Sequence, residues 1–149
     1  MIRKKLLVLE ANIDDMNPEW FGHLSELLFE AGALDVLLIP AFMKKGRPAT
    51  VLQVLVEGRR REKILEMIFR ESTTLGVRSY AVDRFELKRE TQEVRTPFGP
   101  VTVKIGRDRK GRALNVSPEY ESCRRLAVRK KIPLKKIYAS ALAACRVIV

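Results

Sequence analysis

The sequence predicts an α+β protein: a ferredoxin-like βαββαβ core followed by a C-terminal β-hairpin and a two-helix extension. Three observations carry that prediction. Over residues 1–90 the apolar period switches between 2 and 3.6 in the order strand, helix, strand, strand, helix, strand. Turn and stop residues, among them Gly32, Gly46, Pro48 and Gly76, stand between these segments. Residues 91–149 then give a proline-bounded hairpin and two further helical patterns, either packed on the core or extending from it.

The elements follow in order. Residues 5–13 are apolar on both faces, as a central strand requires. A helix is expected over 18–31, with Asn17 as cap, Pro18 first, and Trp20, Leu24, Leu27, Leu28 and Ala31 on one stripe. Residues 34–43 read as a second strand and 50–57 as a third, with Leu52, Val54 and Val56 alternating with polar partners. A second helix over 60–72 turns Ile64, Leu65, Ile68 and Phe69 inward, and a fourth strand runs from Val77 to Lys88. Thr91–Thr96 and Val101–Ile105 flank the turn Pro97-Phe-Gly-Pro100, and a short strand lies near Ala113–Val116. Ser117 is expected to cap a third helix with Pro118 first and Glu119 and Glu121 in its first turn. After Ile132-Pro133 a last helix carries Leu134, Ile137, Tyr138, Ala141, Leu142 and Cys145.

In a split βαβ core the sheet order is four, one, three, two, and right-handed crossovers decide which ends meet. The first strand ends on the sheet edge that also holds the hairpin between strands two and three, and the fourth strand begins there. Asn12–Asp15, Lys44–Arg47 and Thr73–Arg78 should therefore converge.

That edge has a recognisable chemistry. Asp14 and Asp15, with Glu10 and Asn12 nearby, are hard oxygen donors of the kind Mg²⁺ or Mn²⁺ prefers. Taken alone, the acidic turn reads equally as a capped helix start with solvated carboxylates. Lys44, Lys45 and Arg47 beside it would neutralise phosphate oxygens bridged by such an ion, and Gly46 lets the backbone approach. Thr73, Thr74 and Arg78 add hydroxyl and guanidinium contacts. Together these residues suit a metal–polyphosphate complex. His23, the one histidine, reads as a half-exposed helix residue, so a histidine-rich metal cluster or paired imidazole catalysis is excluded. No Walker loop, Rossmann glycine pattern or Ser-His-Asp set occurs. Tyr120, Cys123, Arg124 and Arg125 begin the third helix behind a basic loop; Cys123 reads as core, with a thiolate activated by the arginines as the alternative.

With 149 residues, 46% of them hydrophobic, the chain can bury a substantial core. No apolar run reaches the roughly 18 residues of a membrane span, and the basic N-terminus does not lead into a signal sequence, so a cytoplasmic location is expected. Cys123 and Cys145 are expected to be reduced and buried. The net charge is +11, although the first forty residues are acidic on balance. Such a chain attracts polyanions, whether nucleotide phosphates, nucleic acid or an acidic partner.

Five segments then carry a resemblance: Leu9-Glu-Ala-Asn-Ile-Asp-Asp-Met16, Met43-Lys-Lys-Gly-Arg-Pro48, Thr73-Thr-Leu-Gly-Val-Arg78, Thr96-Pro-Phe-Gly-Pro-Val-Thr-Val-Lys104 and Pro118-Glu-Tyr-Glu-Ser-Cys-Arg-Arg125. In this order they resemble the C-terminal region of the LarC family, nickel insertion enzymes that complete the nickel-pincer nucleotide cofactor of lactate racemase. The resemblance implies a CTP-dependent cyclometallase of the lyase class that places nickel into pyridinium-3,5-bisthiocarboxylic acid mononucleotide. It also implies that this region binds CTP with Mg²⁺ or Mn²⁺. Full family members carry a large, partly histidine-rich N-terminal region that this chain lacks. The chain is thus expected to be the CTP-binding domain and to need that region, in cis or in trans, to insert nickel. The residues assigned to CTP come from the convergent edge and not from the resemblance.

Exposed apolar strand edges and the two-helix extension suggest self-association. Two other readings compete. A regulatory domain for a small molecule would bind without a divalent ion. A non-specific RNA-binding module would use the basic loops, since strands one and three lack the aromatics on which bases stack; specific nucleic-acid recognition is not expected.

Overall fold

The computed structural model describes residues 1–146. Two units emerge, Arg3–Arg84 and the segment from Phe85 onward, the latter joined by Met1 and Ile2. The division falls at Arg84/Phe85 rather than after residue 90, because Lys88–Glu90 already pair with Arg107–Ile105 in the second sheet.

In the first unit β1 (Ile2–Ile13), α1 (Trp20–Glu30), β2 (Asp35–Met43), β3 (Arg47–Val56), α2 (Arg61–Glu71) and β4 (Arg78–Glu86) follow one another. The sheet order is β2-β3-β1-β4, the expected ferredoxin-like arrangement. β3 runs antiparallel to both β1 and β2. Alternation sends Leu9, Ala11 and Ile13 of β1 and Leu52, Val54 and Val56 of β3 to one face. Phe21, Leu24 and Leu28 of α1, Ala31 just after it, and Ile64 and Ile68 of α2 bury them. Pro40 sits in β2, an edge strand, the place in a sheet where proline is tolerated.

Two stripe residues differ from expectation. Trp20 and Phe69 are 51% and 47% exposed. In α1 the inward phase passes through Phe21, Leu24, Leu28 and Ala31, and Trp20 lies one residue, about 100°, off that line. In α2 it passes through Ile64 and Ile68, and Phe69 is displaced likewise. Gly32 ends α1 as expected, at φ +102, a conformation that favours glycine.

The second unit contains β5 (Lys88–Thr96), β6 (Gly99–Arg107), β7 (Ala113–Pro118), α3 (Tyr120–Lys130) and α4 (Leu134–Cys145). Its antiparallel sheet has the order β5-β6-β7. Val94, Val101, Val103 and Ile105 pack against Cys123, Leu126, Ala127, Ile137, Ala141 and Cys145 in a separate core. Ser117 does not cap α3. It still pairs with Lys104, and Pro118 with Val103, so the strand continues two residues further and the helix starts at Tyr120. Ile137, Ala141 and Cys145 fill the inward face of α4, and Leu142 is 43% exposed. No helix among the described residues is long and apolar enough to cross a membrane.

Candidate functional site

The three expected segments meet at one edge of the first sheet. β1 ends at Ile13, the β2–β3 turn occupies Lys44–Gly46, and β4 begins at Arg78. Side chains join them. Arg47 approaches Asp14 (Nη1 to Oδ2, 3.3 Å), and the Thr73 hydroxyl donates to Asp15 Oδ1 at 2.5 Å. Arg78 donates to Asn12 Oδ1 at 2.5 Å and forms an ion pair with Glu10 Oε1 at 2.8 Å.

The β2–β3 turn is shaped by two consecutive left-handed residues, Lys45 (φ 63) and Gly46 (φ 68). Glycine accepts that conformation freely, whereas lysine adopts it at a cost. The turn leaves Lys44 and Lys45 exposed, and neither side chain has a polar partner among the described residues. These two are brought to the edge without being bonded to it. Thr74 is not part of the contact set either: its hydroxyl donates to Gly76 O at 3.0 Å and so closes its own turn.

Glu10 behaves differently from the two aspartates. Besides Arg78 it accepts from Gln53 Nε2 at 2.6 Å and from the Tyr80 hydroxyl at 3.1 Å. The Gln53 amide above all, with Tyr80 and Arg78, holds its carboxyl below the usual glutamate range against the opposing effect of burial. Burial and the bond to Glu10 in turn push the Tyr80 phenol up. Gln53 and Tyr80 were absent from the sequence expectation. Their signal is the antiparallel register, which sets Glu10 directly opposite Gln53.

Asp14 and Asp15 are therefore the acids least committed to the fold. Among the described residues no three of His, Cys, Asp and Glu gather to hold a metal. A hard cation here would take one or two carboxylates and draw its remaining oxygens from a ligand, the manner in which Mg²⁺ is usually held with phosphates. The donor set fits that ion.

Other expectations resolve plainly. His23 is exposed on α1. Cys123 and Cys145 are buried and free, and burial raises both thiols, so the activated-thiolate alternative falls. Arg124 pairs with Glu121, and the basic loop is folded around Asp108, which accepts from Lys110 N and from Arg112 N and Nε.

Comparison with known proteins gives this geometry a context. The family model described as nickel insertion protein matches residues 1–138. A relative from Syntrophobacter fumaroxidans is 51% identical over 144 residues, which are 97% of this chain and 37% of the relative. A pyridinium-3,5-bisthiocarboxylic acid mononucleotide nickel insertion protein from Thermotoga petrophila is 44% identical over 132 residues, 89% of this chain and 33% of that protein. The chain thus spans about a third of the length of these relatives. Among solved structures, LarC2, the C-terminal domain of a cyclometallase involved in the synthesis of the NPN cofactor of lactate racemase, superposes with a TM-score of 0.92 at 36% identity, covering 97% of this chain and 99% of that one. Protein MK0293 from Methanopyrus kandleri superposes with a TM-score of 0.66 at 27% identity, over 95% and 89% of the two chains. The chain belongs to the nickel insertion protein family and corresponds to the C-terminal domain of a LarC protein.

Proposed function

We propose that this chain is the CTP-binding domain of a nickel insertion enzyme that matures the pincer nucleotide of lactate racemase, with the nucleotide's phosphates at the edge built from residues 10–15, 44–47 and 73–78. Nickel and the pincer mononucleotide are substrates of the whole enzyme. The observation that carries the reading is the pairing of Asp14 with Arg47 and of Asp15 with Thr73 across that edge. Each pair is an acid beside a donor, and a metal–phosphate complex is the ligand that satisfies both halves at once.

The residues have separate tasks. Asp14 and Asp15 present oxygens to Mg²⁺ or Mn²⁺, which supplies charge neutralisation to the phosphates when bound. Arg47 exchanges the Asp14 carboxylate for a phosphate oxygen; the present contact is long and half exposed, so little is lost in the exchange. Lys44 and Lys45 add mobile positive charge from the turn. Arg78 is held by Glu10 and Asn12, which fixes its guanidinium before any ligand arrives.

Calorimetry with CTP, ATP, GTP and UTP, with and without Mg²⁺, tests this. The expected result is metal-dependent binding of CTP in preference to the other three, weakened about tenfold or more in Asp14→Ala, Asp15→Ala and Arg47→Ala by loss of charge-assisted contacts. Equal binding of all four nucleotides, or affinity indifferent to the metal, defeats the assignment.

A further inference from the structure

The net charge of the chain lies almost wholly in one unit. From Phe85 onward there are sixteen Lys and Arg against six Asp and Glu, which leaves +1 for the first 84 residues. Within that basic unit a cavity of about 400 Å³ opens beside α3, lined by Glu93 of β5, Thr102 of β6 and Ser122, Arg125 and Arg129 of α3. Its size falls within the roughly 300–1,000 Å³ range of small-molecule sites.

The charges that line this cavity are not paired with one another. Arg125 and Arg129 are four residues apart and so share one helix face. Other cations of the unit are neutralised internally: Arg107 by Glu90, Arg112 by Asp108, Arg124 by Glu121 and Lys104 by Glu119. Arg125 and Arg129 have no such partner among the described residues, and Glu93, lining the same cavity, makes no ion pair with either. The Ser122 oxygen accepts from Thr102 N at 2.9 Å, which leaves its own proton, and the Thr102 hydroxyl, to donate elsewhere. Two guanidiniums and two hydroxyls beside a separate carboxylate match a ligand with a phosphate at one end and a cationic centre at the other. The lining has no aromatic side chain on which a strand of bases would stack, which disfavours RNA as the occupant.

We propose that this cavity is a second ligand site, distinct from the metal–phosphate edge, and that it takes a pyridinium mononucleotide: Arg125 and Arg129 with the two hydroxyls on the phosphate, Glu93 toward the pyridinium cation. The ligand class follows from the substrate that the family relatives carry in their name. The proposal rests on family membership and is independent of the CTP assignment.

Nicotinic acid mononucleotide, a pyridinium mononucleotide with one ring carboxylate, is the probe, titrated calorimetrically into this chain. Binding is expected to weaken about tenfold or more in Arg125→Gln/Arg129→Gln, as two charge-assisted contacts are lost. Glu93→Gln should weaken the pyridinium nucleotide more than it weakens UMP, which has no cationic ring. Asp14→Ala should leave the probe's affinity unchanged while altering only that of CTP. Circular dichroism confirms folding, and Arg129→Gln alone serves if the double variant fails to fold. No binding of the probe to the parent chain at millimolar concentration overturns the proposal. So does loss of binding in Asp14→Ala with the arginine variants unaffected, displacement of the probe by CTP in simple competition, or a 20-mer RNA binding through Arg125 and Arg129 when the mononucleotide does not.

Discussion

Glu10 accepts from three different side chains, Gln53, Tyr80 and Arg78, and its side chain is only 18% exposed. A carboxyl whose folded value lies below its unfolded one contributes stability above the ordinary glutamate range, and that contribution is lost as pH falls through the lowered value. Wild type should therefore melt above Glu10→Gln at neutral pH, and the gap should close as the pH drops below the ordinary glutamate range. A gap that stays constant from neutral to acid pH would mean that the Glu10 charge contributes nothing. The partners of Glu10 show what sequence alone conceals. A polar residue at an outward position of a strand, such as Gln53, reads as solvated surface, and only the cross-strand register reveals that it faces a carboxylate.

At the scale of elements, the β2–β3 turn combines two properties at Lys45, a left-handed backbone and a positive charge. Lys45→Gly separates them. Glycine relieves a conformational cost of about 1 kcal/mol, offset in part by the entropy of a freer unfolded chain. The melting temperature should hold or rise, while metal-dependent CTP affinity should fall with the lost charge. A fall in both would show that the lysine side chain supports the turn itself. Order and type of the first six elements were legible because period and punctuation agreed over each of them. Helix phase was less so. Where two large apolar residues are adjacent, as Trp20 and Phe21 are, periodicity tolerates either inward, and packing against the sheet decides for Phe21. The start of α3 was misplaced for a related reason: Ser117-Pro118 has the composition of a helix start, but the ladder with Lys104 and Val103 outweighs it.

Over the whole molecule, two cores with no residue in common organise the chain. One, near neutral in net charge, supports an edge where Arg47 and Arg78 are paired with acids; the other carries nearly all the excess charge and a cavity with unmatched arginines. The convergence of residues 12–15, 44–47 and 73–78 was legible because topology alone dictates which strand ends meet. The Glu93–Arg125–Arg129 cavity was not, since it joins a strand and a helix whose separation in sequence carries no periodic signal.

The burial of Cys123 and Cys145 also decides which metals they can meet. Thiolates, not thiols, bind metals, and nickel holds nitrogen and sulfur donors tightly. Both sulfurs lie inside the second core, and burial keeps their protons on. Under native conditions neither should react with Ellman's reagent until the chain is unfolded, and added Ni²⁺ should produce no thiolate-to-nickel charge-transfer band; prompt labelling of either would contradict this. Burial thus keeps both sulfurs of the second core away from any soft metal ion for as long as that core stays folded.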